Sequence, residues 1–381
     1  MANTLTGLIP TIYKSFDIVL RELIGFIPAV TMDSSGEQAA KDQTISFGVT
    51  PVGAAGDITP ATTGPTPGAQ TIAPETMTIS KSRGVPFGWN GEEQRSVGQQ
   101  YNQFLVNQFA QAMRTLTNEV EADVAALYIY ASRAYGTAGT TPFATNLAEV
   151  AQMRKILEDN GAPLSDLQLV LGTTAEAALR TLANLNAAGD AGTTNLLRRG
   201  VIDDLHGFAV RASGQTKTHT AGGATGTLVD LTAGYAKGSK TIHADTQTGV
   251  MVVGDIIANT KTGRDTSKYV VKTPLAAAEG DIVLQNPGIQ FAWVNNDPLT
   301  SSASYTANLA FARSAINLMT RVPEMPKEGD AADDVTVITD ELSGLSFQVA
   351  MYKQYRQITF EVGLAWGVKA VKSEAIAILL G

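Results

Sequence analysis

Residues 92–135 read EEQRSVGQQYNQFLVNQFAQAMRTLTNEVEADVAALYIYASRAY, and the rest of the chain is organised around this stretch. It contains no proline, and Gly98 is its only helix-breaking residue. We predict one helix of about 60 Å, at ~1.5 Å per residue, which is longer than a small domain is wide. Such a helix must offer surface to something beyond its own domain. Apolar residues recur along it at helical spacing, at Tyr101, Leu105, Phe109, Met113, Leu116, Val120, Val124, Leu127, Ala131 and Tyr135.

The opposite face of this predicted helix is polar. Glu92 and Glu93 lie at its start, where the partial positive charge of a helix N-terminus favours carboxylates. A coiled-coil arm is an alternative, but the charge pattern beside the apolar seam is weak and strand signals fill the rest of the chain. The polar side chains are Gln100, Gln103, Gln111, Arg114, Asn118, Glu121 and Arg133.

The composition indicates a sizeable core and a weakly charged surface. The 381 residues allow two or three domains, and 44% are apolar while only 17% are charged. The formal net charge of −8 argues against a dedicated nucleic-acid binder, which neutralises phosphates with lysine and arginine. There is no cysteine, which excludes disulfides and thiolate metal sites. No window reaches the ~18 consecutive apolar residues of a membrane span.

Two segments before the helix differ from a compact core. Residues 1–30 carry an apolar helical face that includes Phe16, Leu20 and Leu23, and they fit either a helix on its own core or an arm that docks on a neighbouring subunit. Strand-like runs at Thr44–Val52 and Thr76–Ser82 flank a long stretch rich in proline, glycine and threonine. We predict an extended β excursion that leaves the body and returns to it, with a floppy linker as the alternative.

The remaining chain alternates between patterns. After the long helix we predict a helix over Leu147–Asn160, a strand over Leu167–Leu171, a helix over Ala175–Asn186 capped by Thr173 or Thr174, and a strand over Phe208–Arg211. Residues 218–304 hold short runs typical of a small β-barrel or sandwich inserted into a larger domain, at Thr227–Leu231, Gly249–Ile257, Lys268–Thr273 and Asp281–Leu284. We then predict a helix over Tyr305–Thr320 and strands over Phe347–Tyr355 and Gln357–Val362.

No catalytic constellation emerges from residue spacing. The three histidines, His206, His219 and His243, form no HExxH pair and have no second ligand at i+3 or i+4. His206 beside Asp203 and Asp204 fits a turn histidine near solvated carboxylates, with an acid/base pair as the alternative. The glycines of residues 234–241 have the wrong spacing for a phosphate-binding loop, and a strand-like run follows them. We therefore predict no enzyme activity and no cofactor or metal.

Several stretches, in the family's order, resemble tailed-phage major capsid proteins of the HK97 fold, in particular podovirus-type coat proteins with an inserted β-domain. NEVEADVAALYIYASRAYG resembles the end of the spine helix, and the Pro/Gly/Thr excursion resembles the extended E-loop. LLRRGVIDDLHGFAVRASGQ and GVMVVGDIIA resemble strands that enter and build the insertion. The closing elements of the family are resembled by two stretches of this chain, ANLAFARSAINLMTRVPEMP and YKQYRQITFEVGLAWGVKAVKSEAIAILLG.

This resemblance implies an α+β, HK97-like capsid fold with an N-terminal arm, an extended β E-loop, a long spine helix, P and A domains, and an inserted small β-barrel domain. The implied boundaries are 1–43 for the arm and 44–86 for the E-loop. Residues 87–217 would hold the spine helix, the P-domain and the first part of the A-domain. Residues 218–304 would be the insertion, and residues 305–381 the remainder of the A- and P-domains.

The implied function is a major capsid protein that self-assembles, through pentamers and hexamers, into the icosahedral shell around phage DNA. The implied partners are copies of itself, a separate scaffolding protein, a portal, and double-stranded DNA enclosed without sequence-specific binding, with no membrane. The implied location is the virion, assembled in the bacterial host cytoplasm. Alternatives are an encapsulin-like compartment shell, a tail or decoration protein, a secreted β-rich binding module and a hydrolase. We expect inter-subunit contacts at Phe16, Leu20, Leu23, Arg83, Glu92 and Glu93.

Overall fold

The structure is a computed structural model that describes residues 22–48, 58, 60, 74–186, 202, 204–275, 278–340 and 343–381. Helices span Gly91–Val97, Tyr101–Ala125, Ala148–Asp159, Thr173–Thr181 and Ala183–Asn186, and short 3-10 helices span Ile27–Ala29, Gly98–Gln100, Ala126–Tyr130, Arg313–Ala315 and Ser373–Ala375. The strands of the described chain are β1 (Thr31–Ala39), β2 (Thr44–Gly48), β3 (Pro74–Thr78), β4 (Lys81–Asn90), β5 (Arg133–Tyr135), β6 (Leu167–Gly172), β7 (Phe208–Ser213), β8 (Thr218–His219), β9 (Thr227–Val229), β10 (Thr241–Asp245), β11 (Ile256–Asn259), β12 (Lys268–Thr273), β13 (Gly280–Leu284), β14 (Pro298–Ser301), β15 (Tyr305–Ala312), β16 (Ile316–Pro323), β17 (Asp334–Thr339), β18 (Ser346–Gln354), β19 (Gln357–Ala370) and β20 (Ile376–Leu380).

The long helix is shorter than the sequence predicts. A single helix over residues 92–135 is wrong, because Gly98 adopts a φ of 61° and interrupts the first turns. The regular part, Tyr101–Ala125, is followed by a tighter 3-10 segment and then by strand β5. Its apolar face is nevertheless the predicted one, since Leu105, Phe109 and Val120 are all buried.

One sheet contains six strands and lies against the long helix. Its order is β1, β16, β19, β18, β17. The sixth strand, β4, also pairs with β19 and lies outside this order. Every pairing is antiparallel except that of β1 with β16. Phe87 of β4, Phe109 of the helix and Phe360 of β19 pack with their ring centroids 4.9 to 5.7 Å apart, which joins helix and sheet through edge-on contacts.

A second, mixed sheet runs β7, β6, β15, β20, β5, with β8 paired to the start of β15. β6 and β20 are buried along their whole length, as expected for strands covered on both faces. The helix Ala148–Asp159 covers this sheet with Val150, Met153 and Leu157. These residues belong to the same apolar core as the six-stranded sheet and the long helix.

Six further strands close into a ring. The antiparallel order is β11, β14, β9, β10, β13, β12 and back to β11. The ring has an apolar cluster of its own, which includes Ile242, Tyr269, Ile282 and Trp293. The first two residues of β12 also pair with β5, and this pairing joins the barrel to the mixed sheet.

Further local predictions are wrong, among them the single helix over Ala175–Asn186, which extended Leu182 divides into Thr173–Thr181 and Ala183–Asn186. The helix predicted over Tyr305–Thr320 is two strands, β15 and β16, whose residues are nearly all buried. A run that is apolar on both faces fits a central strand as well as a helix, and pairing with neighbouring strands decides between them. The helix after β6 is capped by Gly172 with no side-chain hydrogen bond, not by a threonine. Only the end of the predicted strand Gly249–Ile257 is extended, in β11.

Candidate inter-subunit interface

The segment 22–30, here called the arm root, is where the N-terminal part of the chain joins the body. Its backbone is held by one buried carboxylate on the long helix, Glu121, which is 1% exposed. Oε1 of Glu121 accepts hydrogen bonds from the backbone N–H groups of Gly25 (2.6 Å) and Phe26 (2.7 Å), and Oε2 accepts one from Ile27 (2.9 Å). The Ser213 hydroxyl donates a fourth bond to Oε1 at 2.7 Å. A carboxylate with several N–H donors makes strong, charge-assisted bonds, so the arm root is fixed to the helix.

A second set of contacts holds the outer part of the arm root. Arg114 on the long helix forms an ion pair with Glu22 at 3.1 Å, and the Gln215 side chain donates to the other oxygen of Glu22. The backbone N–H of Gly214 donates to the Leu23 carbonyl oxygen at 3.1 Å. Leu23 itself is 49% exposed, so its apolar side chain faces outward from a fixed backbone.

Strands β2 and β3, here called the root hairpin, carry the two ends of the Pro/Gly/Thr stretch. Met77 and Ile79 pack on Met319 and Ala365 of the six-stranded sheet. Lys369 of β19 forms an ion pair with Glu75 and donates to the Thr76 carbonyl oxygen at 2.7 Å. The six-stranded sheet therefore holds the base of the root hairpin through apolar packing and an ion pair.

The close approach of the root hairpin to β19 requires a glycine. A Cβ atom at Gly367 would lie 2.1 Å from the carbonyl oxygen of Thr78, and no real Cβ atom approaches backbone that closely. The Ser80 N–H also donates to the Trp366 carbonyl oxygen, at 3.0 Å. Any larger residue at position 367 must push the hairpin away from the sheet.

Strand β4 continues from the hairpin along the long helix, and three polar contacts tie them together. Lys81 lies 2.8 Å from Asp123, which also accepts a hydrogen bond from the Trp366 indole at 2.8 Å. Arg83 pairs with Glu119 at 3.2 Å. The Trp89 indole donates to the Gln108 side chain at 2.6 Å. The helix thus anchors both the arm root and the strand that returns from the hairpin.

The predicted contact residues have different surroundings. Phe16 and Leu20 lie outside the described residues, as does most of the Thr50–Pro74 stretch. Arg83 is 56% exposed at its side chain, and its ion pair with Glu119 is within the chain. Glu93 forms a capping box with Asn90 and Glu92 lies in the same first turn, so the predicted helix-start role of these carboxylates is confirmed. A role of these residues in contacts between subunits stays a prediction.

Two charged residues that the helical spacing predicts on the polar face, Glu121 and Arg133, are buried. Glu121 binds the arm root, and Arg133, on β5, donates to the Ile156 carbonyl oxygen at 3.1 Å and pairs with Asp159 at 3.3 Å. Spacing alone could not distinguish them from solvated residues. The one available signal was their position beside apolar neighbours, Val120 and Ala134.

A hydrogen-bond chain lies where the 3-10 segment Ala126–Tyr130, β8 and the barrel meet, with Tyr128 half-buried and His219 buried. His219 Nδ1 is 2.9 Å from the Tyr128 hydroxyl, and His219 Nε2 is 2.8 Å from Asp255. Burial, and secondarily the charge of Asp255, raises the pKa of Tyr128 above its usual value. Both ring nitrogens of His219 are engaged within the chain, which leaves neither for a substrate or a metal. These hydrogen bonds therefore link the barrel to the rest of the protein.

Among the described residues, one set of side chains has the composition and spacing of a metal site. Asp230, His243 and Glu279 lie together on the barrel, with their ligand atoms within 4.8 Å of one another. A hydrogen bond to Asp281 is the main cause of a raised pKa at His243. His206 lies in an exposed turn, with a φ of 51°. No described helix is both long and apolar enough to span a membrane.

The chain resembles known proteins in structure but not in sequence. No protein-family model matches the sequence, and no curated protein matches it significantly. A chain from a structure of Mycobacterium phage Che8 is similar in fold, with a TM-score of 0.51 at 12% identity over 95% of this chain and 94% of that chain. A chain from the capsid structure of the cyanophage P-SCSP1u gives a TM-score of 0.50 at 11% identity, over 95% of this chain and 89% of that one. The chain therefore has the fold of a phage capsid protein.

Proposed function

We propose that this chain is a major capsid protein that assembles with copies of itself into the closed icosahedral shell of a phage. The observation that carries the proposal is that two roots are fixed to the body, the arm root on the long helix and the root hairpin on the six-stranded sheet. The arm root is held by Glu121 of the long helix, the root hairpin by Lys369 of β19, and β4 by Asp123 of the long helix. The segments that these roots hold, residues 1–21 and 49–73, are the ones we propose to contact neighbouring subunits.

The finer architecture is proposed in the same terms. The helix Tyr101–Ala125 corresponds to the spine helix of an HK97-like subunit, with the arm over 1–43 and the E-loop over 44–86. The A- and P-domains comprise residues 87–217 and 305–381, and the insertion comprises 218–304. The closed barrel with its own apolar cluster supports this placement of the insertion.

A structural role needs interfaces and no catalyst. Repeated contacts between non-identical surfaces close into a shell when their rotations close. Ordering a long segment on a neighbour offsets part of the free energy that the contact gains, so each contact is modest and the shell depends on many of them. The net charge of −8 suits a container that encloses DNA without binding its sequence. A scaffolding protein, a portal and assembly in the host cytoplasm complete the proposal.

The proposal is tested by expressing the protein in bacteria and examining it by negative-stain electron microscopy and light scattering. We expect closed particles, or pentamers and hexamers. A variant lacking residues 1–21 should fold and fail to close shells. Deleting residues 1–28 is a poorer test, because Phe26 and Ile27 belong to the core and their loss would destabilise the subunit itself.

The control variant, Lys261→Ala, keeps the full chain and changes one exposed residue of the barrel, on a surface that the proposal does not assign to the arm. Circular dichroism and thermal melting establish that each variant is folded. A wild-type protein that stays monomeric at every concentration, while folded, would refute the proposed function. Normal shells from the protein lacking residues 1–21 would refute the role of the arm.

A further inference from the structure

Four side chains on or directly beside three neighbouring barrel strands converge on one point of the surface. His243 on β10 and Asp281 on β13 are directly paired across the two strands. Asp230 immediately follows β9, and its backbone N–H donates to the His243 carbonyl oxygen at 3.0 Å. Glu279 immediately precedes β13. His243 and Asp281 are therefore held on the strands themselves, and Asp230 and Glu279 lie next to strand ends.

We propose that His243, Asp230 and Glu279 bind a divalent transition-metal ion, with Zn²⁺ as the best fit. The ligand atoms of the three side chains lie within 4.8 Å of one another. A tetrahedral ion with ligand distances of about 2.1 Å separates its ligand atoms by about 3.4 Å. His243 Nε2 and Glu279 Oε1 are already 3.6 Å apart, so only small side-chain rotations complete the site.

The hydrogen bond of the other imidazole nitrogen supports this assignment independently of the spacing. Asp281 Oδ1 lies 2.8 Å from His243 Nδ1. An ionised carboxylate only accepts hydrogen bonds, so Nδ1 is the donor to Asp281, and Nε2 is the ring nitrogen that faces Glu279 and Asp230. A cation that binds there takes the place of any proton on Nε2. Metal-binding histidines are commonly oriented by a carboxylate in this way. Asp281 is therefore a positioning residue.

The charge balance also favours a cation. Three carboxylates, from Asp230, Glu279 and Asp281, surround one imidazole, and no described lysine or arginine forms an ion pair with any of them. An imidazole together with carboxylates is the donor set of Zn²⁺ and Mn²⁺ sites, whereas Ca²⁺ prefers oxygen ligands alone. The inference does not depend on shell formation, since every ligand comes from one barrel.

The test uses full-length protein without a histidine tag, freed of metal with a chelator and titrated with ZnCl₂ by isothermal calorimetry. We expect one saturable site per chain. His243→Gln should abolish it, and Asp281→Asn should weaken it by about tenfold to a hundredfold, as other second ligand-sphere changes do. His206→Gln, which changes an exposed turn histidine, should leave it intact.

A second measurement does not depend on variants. The three histidines give separate imidazole signals in nuclear magnetic resonance spectra, and Zn²⁺ should perturb those of His243 while leaving buried His219 unchanged. The inference is overturned if no saturable binding occurs, since the cluster is then an ion pair between a protonated imidazole and carboxylates. It is equally overturned if His243→Gln binds Zn²⁺ as well as the wild type does.

Discussion

Replacing Glu121 with alanine tests how the arm root is held. The substitution removes the acceptor of four buried donors: the backbone N–H groups of Gly25, Phe26 and Ile27, and the Ser213 hydroxyl. These N–H groups then either stay buried without partners or reach water by detaching the arm root from the long helix. Both outcomes cost free energy, and the cheaper one sets the loss.

The detachment route is the cheaper one. Hydrogen bonds to a charged group contribute about 1.5–3 kcal/mol each, so losing all four with the donors still buried costs about 6–12 kcal/mol. Detachment exposes the Phe26 and Ile27 side chains, which are 0% and 1% exposed in the subunit. Their burial is worth about 1.5–3 kcal/mol each. We therefore expect Glu121→Ala to lower the free energy of unfolding by about 4 kcal/mol.

Urea denaturation of unassembled subunits measures this loss, and hydrogen exchange locates it. Exchange at residues 25–27 should quicken by about tenfold for each 1.4 kcal/mol lost. Glu119→Ala is the matched control on the same helix. Glu119 pairs with exposed Arg83, so its loss should cost about 0–1 kcal/mol. A Glu121→Ala protein within 1 kcal/mol of the wild type, with unchanged protection at 25–27, would refute this account of the arm root.

Three further outcomes are expected. Gly367→Ala should cost about 2 kcal/mol and make the root hairpin sensitive to proteases, because the new Cβ meets backbone of β3. Gly91→Ala, where a Cβ meets nothing within 4 Å, is its control, and equal protease resistance of the two variants would contradict the prediction. Arg83→Ala should change subunit stability by less than about 1 kcal/mol yet reduce the yield of shells by microscopy, and an unchanged yield would exclude Arg83 from subunit contacts. Asp255→Asn should lower the melting temperature by removing a buried charged partner of His219, at a cost of about 2 kcal/mol, and a melting curve like that of the wild type would argue against this link.

Much of the long helix was predictable because its apolar face follows a strict period and packs on one core. Leu105, Phe109 and Val120 are buried as the pattern indicates. Its ends were predicted less well: Gly98 is visible in the sequence as a helix breaker, but its left-handed backbone and the 3-10 segment before β5 are not. The apolar period of the helix does not show how the chain before Tyr101 or after Ala125 is folded.

The arm root is held by contacts that local sequence patterns cannot predict. Glu121 has the spacing of a solvated residue, and only the arrival of residues 25–27, nearly a hundred positions earlier in the chain, makes it a buried acceptor. The local pattern of strands β15 and β16 predicts a helix for the same reason, since their partners β20, β6 and β19 lie far away in sequence. Long-range pairing decides such regions.

Cryo-electron microscopy of the purified, assembled protein tests the central claim most directly. The account predicts closed shells in which residues 1–21 and 49–73 of each subunit lie on neighbouring copies, while the arm root and root hairpin keep the contacts described for the single chain. Folded single subunits, with both segments packed against their own body and no contact between copies, would contradict it.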